Sequence, residues 1–160
     1  MLLLCLLLLN VQDPERETVF SWLDLLVGQD WVAEFPDGKM VDHQHFEWQF
    51  ERKFLRSRHT VSKPDGQILY SGEALFSWDE RRGCLAWWYW NSTGGVIVGS
   101  TRIEDGKIVF TGSPQGVQNG SEVLGDWVIE AGKWTCTQYF LREGRWEKAF
   151  SLQFKPKAAD

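Results

Sequence analysis

Apolar and polar residues alternate along most of this chain, in about ten short segments between residues 28 and 157. A period of two is typical of a β-strand that turns one face towards a core. Glycine, proline and aspartate separate the segments at short, regular intervals, as hairpin turns require. The pattern therefore predicts an all-β fold, an up-and-down antiparallel barrel of about ten strands.

The turn residues also set the limits of the elements. Asp13-Pro14-Glu15 is typical of a helix start, and apolar residues recur at helical spacing as far as Gly28, which predicts a short amphipathic N-terminal helix. Residues 113–120 are rich in turn-forming residues and predict one longer loop. The predicted strands cover residues 29–35, 41–50, 54–62, 68–78, 84–90, 96–103, 107–112, 122–130, 133–141 and 145–154.

The hairpin between the second and third predicted strands indicates which side chains face the interior. With a short turn near Arg52, the residue numbers of each opposing pair add up to an odd number. Opposing side chains point to the same face, so even-numbered residues of the second strand, such as Phe46 and Trp48, share a face with odd-numbered residues of the third, such as His59. Glutamate and arginine residues occupy the other face, where opposite charges on neighbouring strands attract each other. His59 is therefore predicted to point into the barrel.

Aromatic residues make up 14% of the chain and include 10 tryptophans, most of them at the alternate, apolar positions of their strands. Eight strands can fill a barrel with side chains, whereas ten make a wider one. We therefore predict an internal ligand cavity with aromatic walls, in which His59 is a polar group. The rings predicted to line it are Phe46, Trp48, Phe50, Phe76, Trp78, Trp88, Trp90, Trp127, Trp134 and Phe150. Trp146 occupies an alternate position of the same strand as Phe150 and is expected to point inward with them.

The fifth predicted strand is apolar on both faces. If its Trp88 and Trp90 point inward, then Leu85, Trp87 and Tyr89 point outward. Exposed patches of that size are uncommon, so the N-terminal helix, a partner or a second copy of the chain is expected to cover them. A homodimer through these three residues is one such expectation.

Length and charge narrow the class of protein. The 160 residues suffice for one domain, and residues 13–160 are predicted to form it. The net charge is -5 and no basic cluster occurs. Because binding to phosphates requires a basic surface, we expect no nucleic-acid partner.

Residues 1–12 form an apolar leader, a leucine run interrupted by Cys5. The run is too short to span a bilayer, so no membrane span is expected. It resembles the apolar part of a secretory signal but lacks a basic flank and a good cleavage site. Export and a cytoplasmic location therefore both stay open.

Candidate catalytic and metal-binding residues are few. His43 and His45 share the strand face opposite to His59, so the three cannot form one zinc site and no metal is predicted. Cys84 and Cys136 lie in strands that are not neighbours, which favours two free thiols. The sequence shows neither a nucleophile motif nor a tight carboxylate pair. Catalytic residues are therefore unknown at this level, and no cofactor is required.

Several segments resemble a known family, namely Leu25–Trp31, Phe46–Phe50 with Phe54-Leu55, Phe76–Asp79 and Trp88–Gly95. They are similar to calycin-like barrels catalogued as domain of unknown function 1579, over nearly everything after residue 18. The resemblance implies a lipocalin-like barrel and supplies no catalytic residues. Related nitrobindin-type barrels hold heme through a histidine near the chain's end, and the lack of any histidine after His59 argues against heme here.

The expected function is the binding of a small hydrophobic or amphipathic molecule inside the barrel. An isomerase or cyclase of lipocalin-like type, with His59 as acid or base, is an alternative. A ligand-free interaction module that acts through the surface of the fifth strand is another.

Overall fold

The computed structural model describes residues 14–115 and 122–158, which form one helix and ten strands. Every strand pairs antiparallel with its sequence neighbours, and the first pairs with the last, which closes the barrel. The predicted fold class is confirmed. The elements are α1 (Pro14–Asp24), β1 (Asp30–Glu34), β2 (Val41–Gln49), β3 (Phe54–Ser62), β4 (Ile68–Asp79), β5 (Cys84–Asn91), β6 (Val96–Glu104), β7 (Lys107–Gln115), β8 (Val123–Glu130), β9 (Lys133–Arg142) and β10 (Arg145–Pro156).

Two predicted segments extend beyond the described residues. The leader, residues 1–12, lies wholly outside them. Of the predicted loop at 113–120, the first three residues continue β7, because Ser113 pairs with Val98 and Gln115 with Val96; the remainder lies outside. Within residues 14–115 and 122–158, no helix has the length and apolar character needed to cross a membrane.

The hairpins divide the barrel into two ends. We call the end with the β2–β3, β4–β5, β6–β7 and β8–β9 turns the helix end and the opposite one the open end. On α1, Val19, Phe20 and Leu23 are buried. The Phe20 ring centre lies 5.2 Å from that of Trp48 and 6.4 Å from that of Trp78. The apolar face of α1 therefore covers the helix end.

Hydrogen bonds hold α1 in this position. Trp48 Nε1 donates to Asp24 Oδ1 at 2.8 Å, and Arg52 Nη2 donates to Asp24 Oδ2 at 2.8 Å. Just after the helix, Trp31 Nε1 donates to the Leu26 carbonyl at 2.8 Å. The end of α1 is thus held by β2 and the β2–β3 turn, and the segment that follows it is held by β1.

Aromatic rings pack against one another in the middle of the barrel. The Trp127 ring centre lies 4.4 Å from that of Phe110 and 4.9 Å from that of Trp134. Each such pair contributes about 0.5–1.5 kcal/mol beyond the burial of its area. We call these residues the ring cluster: Phe46, Phe76, Trp87, Phe110, Trp127, Trp134 and Phe154.

Strand β5 faces the opposite way from the prediction. Leu85 and Trp87 are buried inside, whereas Trp88 and Trp90 lie on the outer surface, 39% and 37% exposed. The register of the β4–β5 hairpin places Trp87 opposite the inward-facing Phe76. The prediction that Trp88 and Trp90 line the interior is wrong. So is the predicted dimer surface, since Leu85, Trp87 and Tyr89 point into the barrel.

Glycines on the next two strands make room for Trp87. Gly99 is opposite Trp87 on β6, and Gly112 is opposite Gly99 on β7. A Cβ atom on Gly99 would lie 2.5 Å from the indole, and one on Gly112 would lie 2.6 Å from it. The ring therefore occupies the space that two side chains would otherwise fill.

Two further aromatic predictions are wrong for local reasons. Phe50 lies in the β2–β3 turn with a positive φ of 49° and is 74% exposed. Trp146, near the start of β10, is also exposed. The predicted parity of this hairpin is nevertheless correct, because Phe46 is opposite Ser57 and Gln44 is opposite His59.

Candidate functional site

The rings predicted to line a cavity lie at different depths. Phe46, Phe76, Trp127 and Trp134 belong to the ring cluster, where their mutual contacts fill the middle of the barrel. Trp48 and Trp78 lie beneath α1 at the helix end. An internal ligand site is therefore restricted to the region between the ring cluster and the open end.

Inward side chains in this open half keep partial exposure. Phe140 is 40% exposed, and Ile97, Val123 and Phe150 are half-buried although they pack against the core. The Phe150 ring lies 5.5 Å from that of Phe35, beside the open end. Partial exposure of inward side chains shows that solvent reaches this part of the interior.

A group of polar side chains lies on the inner wall of the open half. We call it the polar cluster: Asp42, Gln44, Ser57, His59, Tyr70 and Tyr89. His59 Nε2 is 3.0 Å from the Tyr89 hydroxyl, which in turn hydrogen-bonds to the Tyr70 hydroxyl. His59 Nδ1 lies 3.4 Å from Asp42 Oδ1. Asp42 also accepts a hydrogen bond from Gln44 Nε2 at 3.2 Å.

Gly72 allows His59 and Tyr89 to meet. They belong to β3 and β5, and Gly72 lies on β4 between them, opposite His59. A Cβ atom on Gly72 would be 2.2 Å from the Tyr89 hydroxyl and 2.5 Å from His59 Nε2. The hydrogen bond across β4 therefore depends on the missing side chain.

The electrostatics of the cluster determine which atoms donate. Burial raises the pKa of Tyr89 far above its ordinary value, and the hydrogen bond with Tyr70 adds to the rise. Burial also raises the pKa of Tyr70. Both phenols therefore keep their protons at neutral pH. Among the described residues His59 Nδ1 makes no hydrogen bond, but the Asp42 carboxylate 3.4 Å away favours a proton there, and in that tautomer Nε2 accepts the Tyr89 proton.

The structure separates the three histidines as predicted from the hairpin register. His43 and His45 face outward, and His45 Nδ1 pairs with Asp30 Oδ1 at 2.7 Å, while His59 faces inward. Among residues 14–115 and 122–158, no group of three or more histidine, cysteine, aspartate or glutamate side chains is arranged to hold a metal ion. Cys84 and Cys136 are free thiols in the same ranges.

Sequence reasoning missed four members of the polar cluster. Asp42 and Gln44 stand on the same alternate positions of β2 as Phe46, and this signal would have identified them. Tyr89 was assigned to the wrong face with the rest of β5. Tyr70 stands on the same alternate positions of β4 as Phe76, so the same signal would have identified it.

Two surface depressions, of about 410 and 400 Å³, lie outside the barrel. The first runs over the outer face of β4, β5 and β6 beside Ala86, Trp88 and Val98. The second lies over β2 and β3 beside His45 and Arg58, and its lining also includes Gln44 and His59 of the polar cluster. Neither is the predicted internal site.

Comparison with known proteins supports the architecture and nothing more specific. No family model matches the chain, and no curated protein matches it. The crystal structure of Rv2717c from M. tuberculosis is similar, with a TM-score of 0.64 and 14% sequence identity, over 91% of this chain and 98% of that one. At this identity the likeness shows a shared barrel fold. The resemblance to domain of unknown function 1579 stays a prediction.

Proposed function

We propose that the open half of the barrel binds a small amphipathic molecule. Its polar group is held at the polar cluster, and its apolar part lies against Ile97, Val123 and Phe140. The hydrogen bond between His59 and Tyr89, inside an apolar barrel and within reach of solvent, is the observation that carries this proposal. The lipocalin-like resemblance favours the same type of ligand.

The contrast between the two halves of the barrel supports this assignment. At the helix end, apolar side chains and α1 fill the interior. In the open half, polar groups replace them, although each buried polar group without a good partner costs about 1–3 kcal/mol. Binding sites combine apolar walls with a few polar groups that orient the ligand. Contact with the walls would contribute about 25 cal/mol per Å² of apolar surface.

Titration with the amphipathic dye anilinonaphthalene sulfonate tests this proposal. Val123 points into the open half on β8, and Val128 points outward on the same strand. We expect Val123→Trp to fill the site and weaken dye binding at least tenfold, with Val128→Trp as the control. Circular dichroism checks that both variants fold.

A second pair of variants removes single hydroxyl groups. Tyr89→Phe deletes the hydroxyl bonded to His59, and Tyr139→Phe deletes one bonded to Asp126 on the outer face at 3.1 Å. Weaker binding in Tyr89→Phe alone would support the polar cluster as the site. Equal binding in the wild type, Val123→Trp and Tyr89→Phe would overturn the proposal.

The chain from Asp42 through His59 to Tyr89 favours a second candidate, an isomerase or cyclase that uses His59 as acid or base. The Asp42 carboxylate would orient the imidazole, and Nε2 would exchange a proton with the substrate or with Tyr89. If the protein turns over its ligand, His59→Gln purified from the native host should retain a molecule different from that in the wild type. His45→Gln is the matched control, and the same molecule in all three proteins would reject catalysis by His59.

A further inference from the structure

An apolar groove on the outer surface of the barrel has no described segment covering it. It runs over β4, β5 and β6 beside Trp88, which is 39% exposed, and the exposed Trp90 and Val96 lie further along β5 and β6, beyond its lining. Its volume is about 410 Å³. Its floor is formed by Ser77, Ala86, Trp88 and Val98, and its rim at the helix end by Asp79, Glu80, Arg81 and Arg82.

The first turn of α1 lies at the rim of this groove. Arg16 Nη1 is 2.9 Å from Glu80 Oε1, in the β4–β5 turn. Because Glu80 belongs to the rim, the start of α1 at Pro14 lies near the groove.

We propose that the leucine run Met1–Leu9 of the same chain docks in this groove. The run contains no charged residue, and only four residues, Asn10 to Asp13, separate it from α1. At about 3.3 Å per residue, four extended residues span about 13 Å. That is also about the distance from Ala86 to Trp90 along β5. A linker that starts at the rim of the groove therefore allows the leucines to reach the two exposed tryptophans.

Tethering makes this occupant more effective than a free one. A short linker holds a segment at an effective concentration in the millimolar range, so even a weak apolar contact is populated. The run is about half the length needed to cross a bilayer. Docking would remove from water both the leucines and the exposed faces of Trp88 and Trp90, the kind of patch that soluble proteins seldom leave uncovered.

Disulfide formation from the native thiol of Cys5 tests the docking. In the full-length chain with Cys84→Ser, Val98→Cys places a thiol on the groove floor. Val32→Cys places one on the outer face of β1, across the barrel. Mass spectrometry of the intact protein first confirms that residues 1–9 are present. Under mild oxidation we expect the intramolecular disulfide to form at least tenfold faster with Val98→Cys than with Val32→Cys.

The same assay distinguishes the other occupants. A charge in the run, Leu7→Glu, should abolish the rate difference if the leucines occupy the groove. Equal rates at the two positions would overturn the proposal. A disulfide found only in covalent dimers, at a rate that rises with concentration, would show a second copy instead. Loss of the disulfide on adding phosphatidylcholine vesicles, with the protein floating with them, would show that the run prefers a membrane.

Discussion

His59 Nε2 and the Tyr89 hydroxyl lie 3.0 Å apart, although the two residues belong to strands that do not pair with each other. They meet over Gly72 on the strand between them, where any side chain would occupy the same space. The glycine thus joins the residues of β3 and β5 into one polar cluster. A barrel needs no such contact for its own closure.

Gly72→Ala tests this relationship. The added methyl group must displace Tyr89 or His59, and overpacking of this kind typically costs about 1–3 kcal/mol. We expect the ¹⁵N resonance of His59 Nε2 to shift in the variant, with weaker dye binding. Gly106→Ala is the control, because Gly106 has a positive φ but no atom near its missing Cβ. It should lower stability and leave the His59 signal unchanged, and a Gly72→Ala spectrum identical to the wild type would contradict the prediction.

The neighbouring tryptophans of β5 provide a matched pair for stability. Trp87 is 6% exposed and packs in the ring cluster, so Trp87→Ala should lower the free energy of unfolding by about 3–5 kcal/mol. Trp88 lies on the outer face, and Trp88→Ala should cost at most about 1 kcal/mol. Urea unfolding measures both. The reverse order would show that the sequence-based orientation of β5 was correct after all.

The sequence was sufficient to predict the number, order and approximate limits of the strands, because alternation and turn residues are local signals. It also placed His59 on the inner face, through the parity of the β2–β3 hairpin. The orientation of β5 was not recognised because both of its faces are apolar, so alternation carries no information there. The pairing rule used for β2–β3 would have given the correct orientation. Because Asp79 is opposite Cys84, the inward-facing Phe76 is opposite Trp87.

Other features depend on contacts between distant strands. Room for Trp87 comes from Gly99 and Gly112, and room for the His59–Tyr89 contact comes from Gly72. These glycines are predicted from the sequence to lie within strands, but no local pattern shows which side chain of another strand uses the space that each leaves free. The packing at the centre of the barrel likewise reflects how the rings of β2, β4, β5, β7, β8, β9 and β10 meet, which strand-by-strand reasoning cannot provide.

Cys136 should make stability depend on pH in alkaline solution. Burial raises the pKa of its thiol to about 12. In the unfolded chain the thiol ionises near pH 8.5, so the unfolded state loses its proton first. The contribution of Cys136 is therefore complete below about pH 8.5 and is lost as the pH rises towards 12, by at most about 1.4 kcal/mol per pH unit.

Unfolding of the wild type and Cys136→Ala across this pH range isolates that contribution from those of the tyrosines. The difference in unfolding free energy between the two proteins should shrink between pH 9 and about pH 12. A constant difference would contradict a buried, protonated thiol.

The attachment of α1 should appear as coupling between Asp24 and Trp48. Asp24→Ala and Trp48→Phe each remove one side of the hydrogen bond at the helix end. Because the carboxylate is partly exposed, we expect a coupling energy of about 1 kcal/mol in a double-mutant cycle. Strictly additive effects on the unfolding free energy would show that this bond does not hold the helix.

Native mass spectrometry of the protein purified from its own host tests the ligand proposal most directly. We expect the wild type to carry an additional mass of a few hundred daltons, the size of a molecule that fits a site of this kind. Val128→Trp should retain it, and Val123→Trp, with the open half filled, should lose it. A wild-type protein with no additional mass and no affinity for the dye, or a mass that stays in Val123→Trp, would contradict a ligand site in the open half of the barrel.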